Sequence, residues 1–129
     1  MPITVVFRPA ELDTLLNSPA GTVGRDLNSR ARRVMVAAKA QAGEDTGRLK
    51  KSIHVRNHNR TGTGQSIEVG SSLNYALLHH NGTRPHLMVV NRDKVFRFTS
   101  GSRVIYTHTI RHPGTQPNRY LTDNLYLIR

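Results

Sequence analysis

The sequence predicts a single α+β domain, residues 1–129, in which one long helix packs on an antiparallel, sandwich-like β-sheet. A length of 129 residues suits one domain. Apolar residues recur with helical spacing over 21–42, and they alternate with polar residues over shorter segments such as 53–57. Strand-like and helical segments follow one another in blocks rather than in βαβ units, which favours an antiparallel sheet. Short N- and C-terminal helices and extended loops complete the predicted fold.

The N-terminal third predicts a strand, a short helix and the long helix. β-branched and aromatic residues over 3–7 predict a strand that Pro9 ends. Pro9 also suits the first turn of a short helix that ends near Leu16 and has acidic residues in its first turn. After a turn over 18–21, an apolar stripe at i, i+4 and i+8 spacing marks the long helix: Val23, Leu27, Ala31, Val34, Ala38 and Ala42. The alanines of this stripe allow close packing on a sheet.

The middle of the chain predicts a hairpin and then a corner. A short helix capped by Asp45-Thr46 leads into the strand over 53–57, and 66–70 return antiparallel after a glycine-rich tip. Residues 75–80 form one or two helical turns that Asn81-Gly82 can end, because this pair tolerates positive φ. The chain then leaves in an extended conformation, since Arg84 precedes a proline. A basic turn, Gly82-Thr83-Arg84, is expected on the outside of this corner.

The C-terminal third predicts one more hairpin, a loop and a closing segment. Strands over 95–98 and 103–106 flank a turn. The polar, proline-containing stretch 107–117 predicts a loop, as does 56–66 earlier in the chain. Residues 118–128 close the chain as a helix or as an extended arm. Ordering a long polar loop costs conformational entropy and buries little apolar area. We therefore expect these two loops to reach neighbouring subunits.

Composition indicates a protein that associates with others. Hydrophobic residues make up 36% of the chain and aromatic residues 5%, and tryptophan is absent. A chain with so few large apolar side chains can bury only a small core, which favours stabilisation by partners that cover more apolar surface. Without cysteine there is neither a disulfide framework nor thiolate chemistry. The first twenty residues lack the pattern of a signal peptide, and no apolar run has the length of a membrane helix, so we expect synthesis in a cytoplasm and no membrane partner.

The distribution of reactive side chains argues against an enzyme, a metal site or a cofactor site. Seven histidines are present, but His79 and His80 are adjacent, and neither cysteines nor well-placed acids complete a ligand set. Only eight acidic residues are present, and the glycine-rich stretch 61–64 lacks the strand-to-helix context of a phosphate loop. We therefore predict no catalytic residues and no cofactor.

The basic charge is the most informative feature of the composition. The formal net charge is +11, and 94–122 contains five basic residues and no acidic one. Such a surface suits acidic protein partners, or DNA phosphates contacted without reading of base sequence. Candidate DNA-facing residues are Arg32, Arg33, Lys50, Lys51, Arg56 and Arg60. A stand-alone basic nucleic-acid-binding protein is the alternative from a different functional class.

Three motifs, in order, resemble a family of phage proteins. They are Asp45-Thr-Gly-Arg-Leu49 followed by Ser52-Ile53, then Tyr75-Ala76 followed by Gly82-Thr83, and finally Pro113-Gly-Thr-Gln-Pro117 followed by Tyr120-Leu121. Together they resemble the neck, or head–tail joining, family of long-tailed double-stranded DNA phages, also called connector, minor tail or tail-completion proteins. The resemblance extends over roughly 23–128. It departs from the family at His79-His80, where an acidic residue is more usual.

The resemblance implies a structural virion protein without chemistry of its own, a single neck or connector domain. It would form a homo-oligomeric ring at the head–tail junction around the DNA channel; we favour a hexamer over a dodecamer. Its partners would be a head-side connector or stopper ring and a tail terminator or tail-tube ring, and a tail-terminator or tail-completion role is the alternative within this class. The protein would lie in the virion neck or tail region. The candidate interface residues are Gly82, Thr83, Arg84, Thr107, Ile110, Arg111, His112, Gly114 and Arg119.

Overall fold

The computed structural model describes residues 5, 6, 8–43, 45–60 and 64–129, with the backbone alone at 58–60. The described residues contain both helices and antiparallel strands, as predicted. They divide into two compact units. Unit 1 comprises the described residues up to Ala76 together with 119–129, and unit 2 comprises 77–118. The extent of the functional domain, expected to be the whole chain, stays a prediction.

Three helices open unit 1 close to where the sequence predicts them. Helix α1 spans Pro9–Asn17 with its proline in the first turn, and α2 spans Thr22–Gln41. The apolar stripe of α2 faces the interior: Ala31, Val34 and Ala38 are buried. The short helix α3, Arg48–Ser52, also forms, but its capping was predicted wrongly. Its N-cap is Gly47 in the left-handed conformation rather than Asp45-Thr46, and no side chain caps it.

A β-hairpin completes the framework of unit 1. Strand β1, Ile53–Arg60, pairs antiparallel with β2, Gly64–Ser71, in continuous register from Ile53↔Ser71 to Arg60↔Gly64. The predicted loop over 56–66 is therefore wrong in its described part, because the strands continue almost to the tip. The tip itself, 61–63, lies outside the described residues. The ladder satisfies backbone groups that a loop would leave to water.

The core of unit 1 is a cluster of small and large apolar side chains. Ala38 and Ala42 from the end of α2 pack with Ile53 and Ala76 and with the ring of Tyr120. All five are at most 5% exposed, and Leu49 of α3 joins them. The Tyr120 hydroxyl donates a hydrogen bond to the Ala76 carbonyl at 3.5 Å. The alanines thus leave room for one large aromatic ring beside α2.

A C-terminal 3-10 helix, Thr122–Ile128, lies on α2 and confirms the helical alternative for this segment. The buried Asn124 side chain anchors it by donating to Gln41 Oε1 and to the Tyr120 carbonyl, both at 2.8 Å. Gln41 Nε2 in turn donates to Asp123 Oδ2 at 3.1 Å. Arg30 of α2 donates to the Ile128 carbonyl at 2.7 Å. These bonds fix both ends of the segment to one helix.

Unit 2 is built on one long, interrupted β-hairpin. The short helix α4, Ala76–Asn81, leads into it and ends at Gly82, which has φ +71° as expected for a helix stop. Four strands follow: β3 His86–Val89, β4 Phe96–Ser100, β5 Arg103–Thr107 and β6 Thr109–His112. Strand β4 pairs with β5 and β3 pairs with β6, both antiparallel. We call residues 82–117 the β-arm.

The β-arm corrects the prediction of a loop over 107–117. Strand β6 occupies 109–112, and an isolated bridge joins Thr83 to Thr115 beyond it. This segment was expected to reach neighbouring subunits as a loop, but the backbone groups of 109–112 pair with β3 of the same chain. At the interruption, residues 90–95 lie opposite the single residue His108, and the Val90 amide donates to the His108 carbonyl at 3.0 Å.

The sheet topology also differs from the prediction. The described strands form three separate two-stranded ladders rather than one sheet, so a sandwich-like packing is not confirmed. The long helix does pack on a β-hairpin, β1–β2, in unit 1. The strand predicted over 3–7 lies mostly outside the described residues; Val5 and Val6, which are described, are exposed and irregular.

Val34→Asp should lower the free energy of unfolding by about 3–5 kcal/mol, because it places a carboxylate in an apolar core without a partner. Val34 is 2% exposed, whereas Val36 on the same helix is 63% exposed. The control Val36→Asp should therefore stay within about 0.5 kcal/mol of the wild type. Urea unfolding followed by circular dichroism measures both. Equal stability of the two variants would contradict the burial of the α2 stripe.

Tyr120 should make stability depend on alkaline pH. Burial raises the pKa of its phenol above the ordinary value. Above about pH 10 the unfolded chain releases this proton first, so the stability contributed by the neutral phenol declines as pH rises through the folded-state pKa. Tyr120→Phe lacks the proton, and its free energy of unfolding should fall less between about pH 9 and about pH 11.

Denaturant melts across this pH range provide the measurement. The exposed Tyr126→Phe is the matched control, since it removes a phenol from the same C-terminal segment, and it should follow the wild-type curve. Parallel curves for the wild type and Tyr120→Phe would count against the burial of the phenol in the folded state.

Candidate assembly surfaces

Eight of the nine predicted interface residues lie in the β-arm, and only Arg119 lies in unit 1. Thr107 ends β5, where its hydroxyl donates to the Thr109 carbonyl at 3.0 Å. Ile110 is half-buried, in register with Met88, whereas Arg111 is exposed, in register with Leu87. The structure therefore gathers most of the predicted interface into one element, although six of these eight residues are half-buried and only Arg84 and Arg111 are exposed.

Two Gly-Thr turns, distant in sequence, join the strands at the base of the β-arm. The amide of Thr83 donates to the Thr115 carbonyl at 3.1 Å, and the Thr115 amide donates back to the Thr83 carbonyl at 3.1 Å. The two threonine hydroxyls lie 3.0 Å apart. Gly82 and Thr83 are half-buried by this pairing, so of the predicted basic turn only Arg84 is exposed. The glycines are needed here because Gly82 and Gly114 both have positive φ.

A pair of histidines lies next to this bridge. His86 and His112 are directly opposite in register, and their ring centroids are 5.0 Å apart. His112 Nδ1 accepts from the Gly114 amide at 3.1 Å, and His86 Nδ1 donates to the Arg84 carbonyl at 2.8 Å. These bonds orient both rings. Each histidine therefore supports the base of the arm.

The outer part of the β-arm exposes apolar side chains. Phe98 and Ile105 are directly opposite in the β4–β5 ladder, and they are 41% and 38% exposed. Because strand residues alternate between faces, Phe96 shares their face and Thr99 lies on the other. Nearer the base, Leu87 and Val89 are also exposed, on one face of the β3–β6 ladder. We call the surface formed by Phe96, Phe98 and Ile105 the hairpin ridge.

The β-arm is also strongly basic. It contains six arginine and lysine residues and a single acidic residue, Asp93, which gives a formal net charge of +5. The basic residues, all exposed, are Arg84, Arg92, Lys94, Arg97, Arg103 and Arg111. An element that combines exposed apolar and basic side chains suits a partner with an apolar, acidic surface.

The six predicted DNA-facing residues all lie in unit 1, on three different elements. Arg32 and Arg33 are exposed on α2, away from its buried stripe. Lys50 and Lys51 lie in α3. Arg56 is exposed on the opposite face of β1 from the buried Ile53, where it lies in register with Glu68. Arg60 ends β1 opposite Gly64. Contact of any of them with DNA stays a prediction.

Unit 1 contains a surface that sequence reasoning missed. A groove of about 340 Å³ lies between α2, β2 and the C-terminal 3-10 helix. Apolar side chains from all three elements line it: Leu27, Val34, Ile67, Leu121, Leu125 and Ile128. Arg30 also lines it, and its Nε lies 2.8 Å from Asp26 Oδ2. We call this surface the apolar groove. In the sequence, the helical spacing of Leu121, Leu125 and Ile128 was the pattern that could have indicated this surface.

The described residues show neither a metal-ligand group nor a helix of membrane-spanning length. They contain no group of three or more histidine, cysteine, aspartate or glutamate side chains that could hold a metal ion. Within the same part of the chain, no helix is long and apolar enough to cross a membrane.

The chain belongs to a family of phage tail components. The family described as "Bacteriophage HK97-gp10, putative tail-component" matches residues 12–82, which are 71 of the 129 residues. This match supports the resemblance to phage neck and tail-completion proteins. It covers the first motif and the second as far as Gly82, whereas Thr83 and the third motif, at 113–121, lie beyond it. Searches of curated proteins and of solved structures find no match for the chain. The family makes the chain a structural phage protein.

Gly82→Ala should weaken the base of the β-arm. A Cβ at this position would lie 2.5 Å from the Thr115 carbonyl oxygen and 2.8 Å from the Pro117 nitrogen, and φ is positive. We expect the free energy of local opening to fall by at least about 1–2 kcal/mol, the cost of left-handed backbone alone. Hydrogen exchange at the Thr83 and Thr115 amides, which form the bridge, measures this opening.

The control is Gly70→Ala, because a Cβ there meets nothing within 4 Å and φ is not positive. It should leave exchange at the Thr83 and Thr115 amides unchanged. Undiminished protection of these amides in Gly82→Ala would mean that the two Gly-Thr turns do not hold the arm together.

Proposed function

We propose that the chain is a ring-forming subunit at the head–tail junction of the phage virion, where it joins the capsid connector to the tail around the DNA channel. The β-arm carries this proposal. A two-stranded hairpin is marginally stable alone, and this one exposes Phe98, Ile105, Leu87 and Val89. A subunit of an assembly can cover such a surface, whereas a solitary protein would leave it in water.

The proposed neighbours follow from the family resemblance and from charge. Copies of the chain form a ring, a hexamer by preference and a dodecamer as the alternative. One side of the ring meets a head-side connector or stopper ring, and the other meets a tail terminator or tail-tube ring. In this reading the whole chain acts as one neck domain, made in the host cytoplasm before assembly. A tail-terminator or tail-completion role is the alternative within the same class.

The exposed arginines suit a place near packaged DNA. Arg32 and Arg33 on α2 project from the surface, and a formal charge of +11 attracts phosphates at long range. Contacts of this kind do not depend on base sequence. The same charge is the reason to retain a stand-alone nucleic-acid-binding protein as the alternative. That alternative leaves the exposed apolar face of the β-arm unexplained.

Deletion of the gene from the phage that encodes the chain tests the proposal. Without the protein we expect DNA-filled heads and complete tails that remain separate, and supply of the protein from a plasmid should restore joined particles. Electron microscopy counts joined and separate structures. The restored particles should contain the protein, detected by mass spectrometry of purified virions.

Two surface variants refine the test. Val89→Asp with Arg111→Glu alters exposed side chains of the β-arm, so circular dichroism should match the wild type while joined particles fall at least about tenfold. Val36→Asp, an equally exposed valine on α2, is the control and should restore joining. Joined particles without the protein, or virions that lack it, would refute the neck role and favour the stand-alone alternative.

A further inference from the structure

The apolar groove of unit 1 is an open recess lined mainly by apolar side chains. Its volume of about 340 Å³ lies in the size range of protein binding pockets. Leu125 and Ile128 at its edge are 49% and 46% exposed. Exposed apolar recesses are sites where another molecule commonly binds. The occupant therefore has to present apolar side chains on a projecting surface.

The hairpin ridge is a projecting apolar surface of the kind that could occupy the groove. Phe98 and Ile105 are paired across β4 and β5, so their side chains stand together on one face near the hairpin turn. Phe96 extends the same face toward the base of the arm. A two-stranded ladder is marginally stable alone, so it gains from burying this face against a partner. Phe98 is the kind of aromatic anchor that commonly fills an interface pocket.

Charge complements the shape. Arg103 is exposed on β5 on the face of the hairpin ridge, directly opposite Ser100, whereas Arg97 lies on the other face of β4. Two acidic side chains lie near the groove: Asp26 forms an ion pair with the groove residue Arg30 at 2.8 Å, and Asp123 lies on the 3-10 helix between Leu121 and Leu125. Such opposite charges at the rim orient partners and speed their association more than they add affinity.

We propose that the hairpin ridge of one copy docks in the apolar groove of the next copy. This inference rests on the proposed ring, and it supplies the contact that closes it. Ridge and groove are different patches of the same chain, so their contact is heterologous. A heterologous contact propagates from copy to copy and closes as a ring when the rotation allows, whereas a twofold dimer would need each patch to meet itself.

Site-directed cross-linking tests the docking, and the absence of native cysteine makes the products unambiguous. Ser100→Cys adds a thiol on the ridge face without removing Phe98 or Ile105, and Leu125→Cys adds one at the groove. Particles assembled with the double variant are treated with a short bismaleimide and separated under denaturing conditions. We expect a ladder of covalent multimers that ends at the ring number. Copies carrying single variants, mixed in one particle, should yield dimers only.

The matched control moves the thiol from the ridge face of the hairpin to the opposite face. Thr99→Cys with Leu125→Cys places the thiol one residue away, on the face opposite the ridge. Its multimer yield should be at least about tenfold lower, because the strand directs adjacent side chains to opposite sides. If Leu125→Cys impairs folding by circular dichroism, Ile128→Cys provides a second groove position of similar exposure.

A second measurement uses incorporation into particles. Phe98→Glu should reduce incorporation at least about tenfold, since it removes the central anchor, whereas Thr99→Glu should stay within about twofold of the wild type. The docking would be overturned if particles contain the double-cysteine chain but yield no covalent multimers. It would also be overturned if the linker joins the two cysteines of a single chain. Either result would leave the neck role standing. Virions that lack even the wild-type chain would contradict the neck role, and the docking with it.

Discussion

The close packing of α2 against Tyr120 is the contact on which unit 1 depends. Ala38 and Ala42 present almost no side chain, so the aromatic ring and Ile53 can fill the space beside the helix. The chain has no tryptophan and few aromatic residues, so one buried tyrosine supplies much of its apolar core. The same ring begins the segment that Asn124 ties to α2. Burial of Tyr120 thus places the 3-10 helix, and with it one wall of the apolar groove.

The family motifs lie at structural positions. Leu49, Ile53, Ala76 and Tyr120, one or two from each motif, meet in a single core cluster. The two Gly-Thr turns, from the second and third motifs, pair with each other at the base of the β-arm. These residues define a scaffold rather than a reaction centre. Function in such a protein resides in the surfaces that the scaffold presents, which accords with a structural phage component.

Local patterns predicted the parts of the fold that depend on local interactions. The helical stripe over 22–41 and the alternation in β1, β2, β4 and β5 are properties of contiguous residues. Strand β6 was missed because its partner β3 lies more than twenty residues earlier, and Thr109–His112 is polar enough to resemble a loop. The apolar groove was missed for a similar reason: its walls come from three segments that only the folded chain brings together.

The central claim is that the exposed apolar surfaces of this phage protein are subunit contacts in a ring at the neck. Electron cryo-microscopy of intact virions tests it most directly. The account predicts a ring of density at the head–tail junction into which unit 1 fits. A thin two-stranded feature should run from each copy into the groove between α2 and the 3-10 helix of its neighbour. Density for the chain elsewhere in the tail, or a ring whose copies meet through other surfaces, would contradict the account.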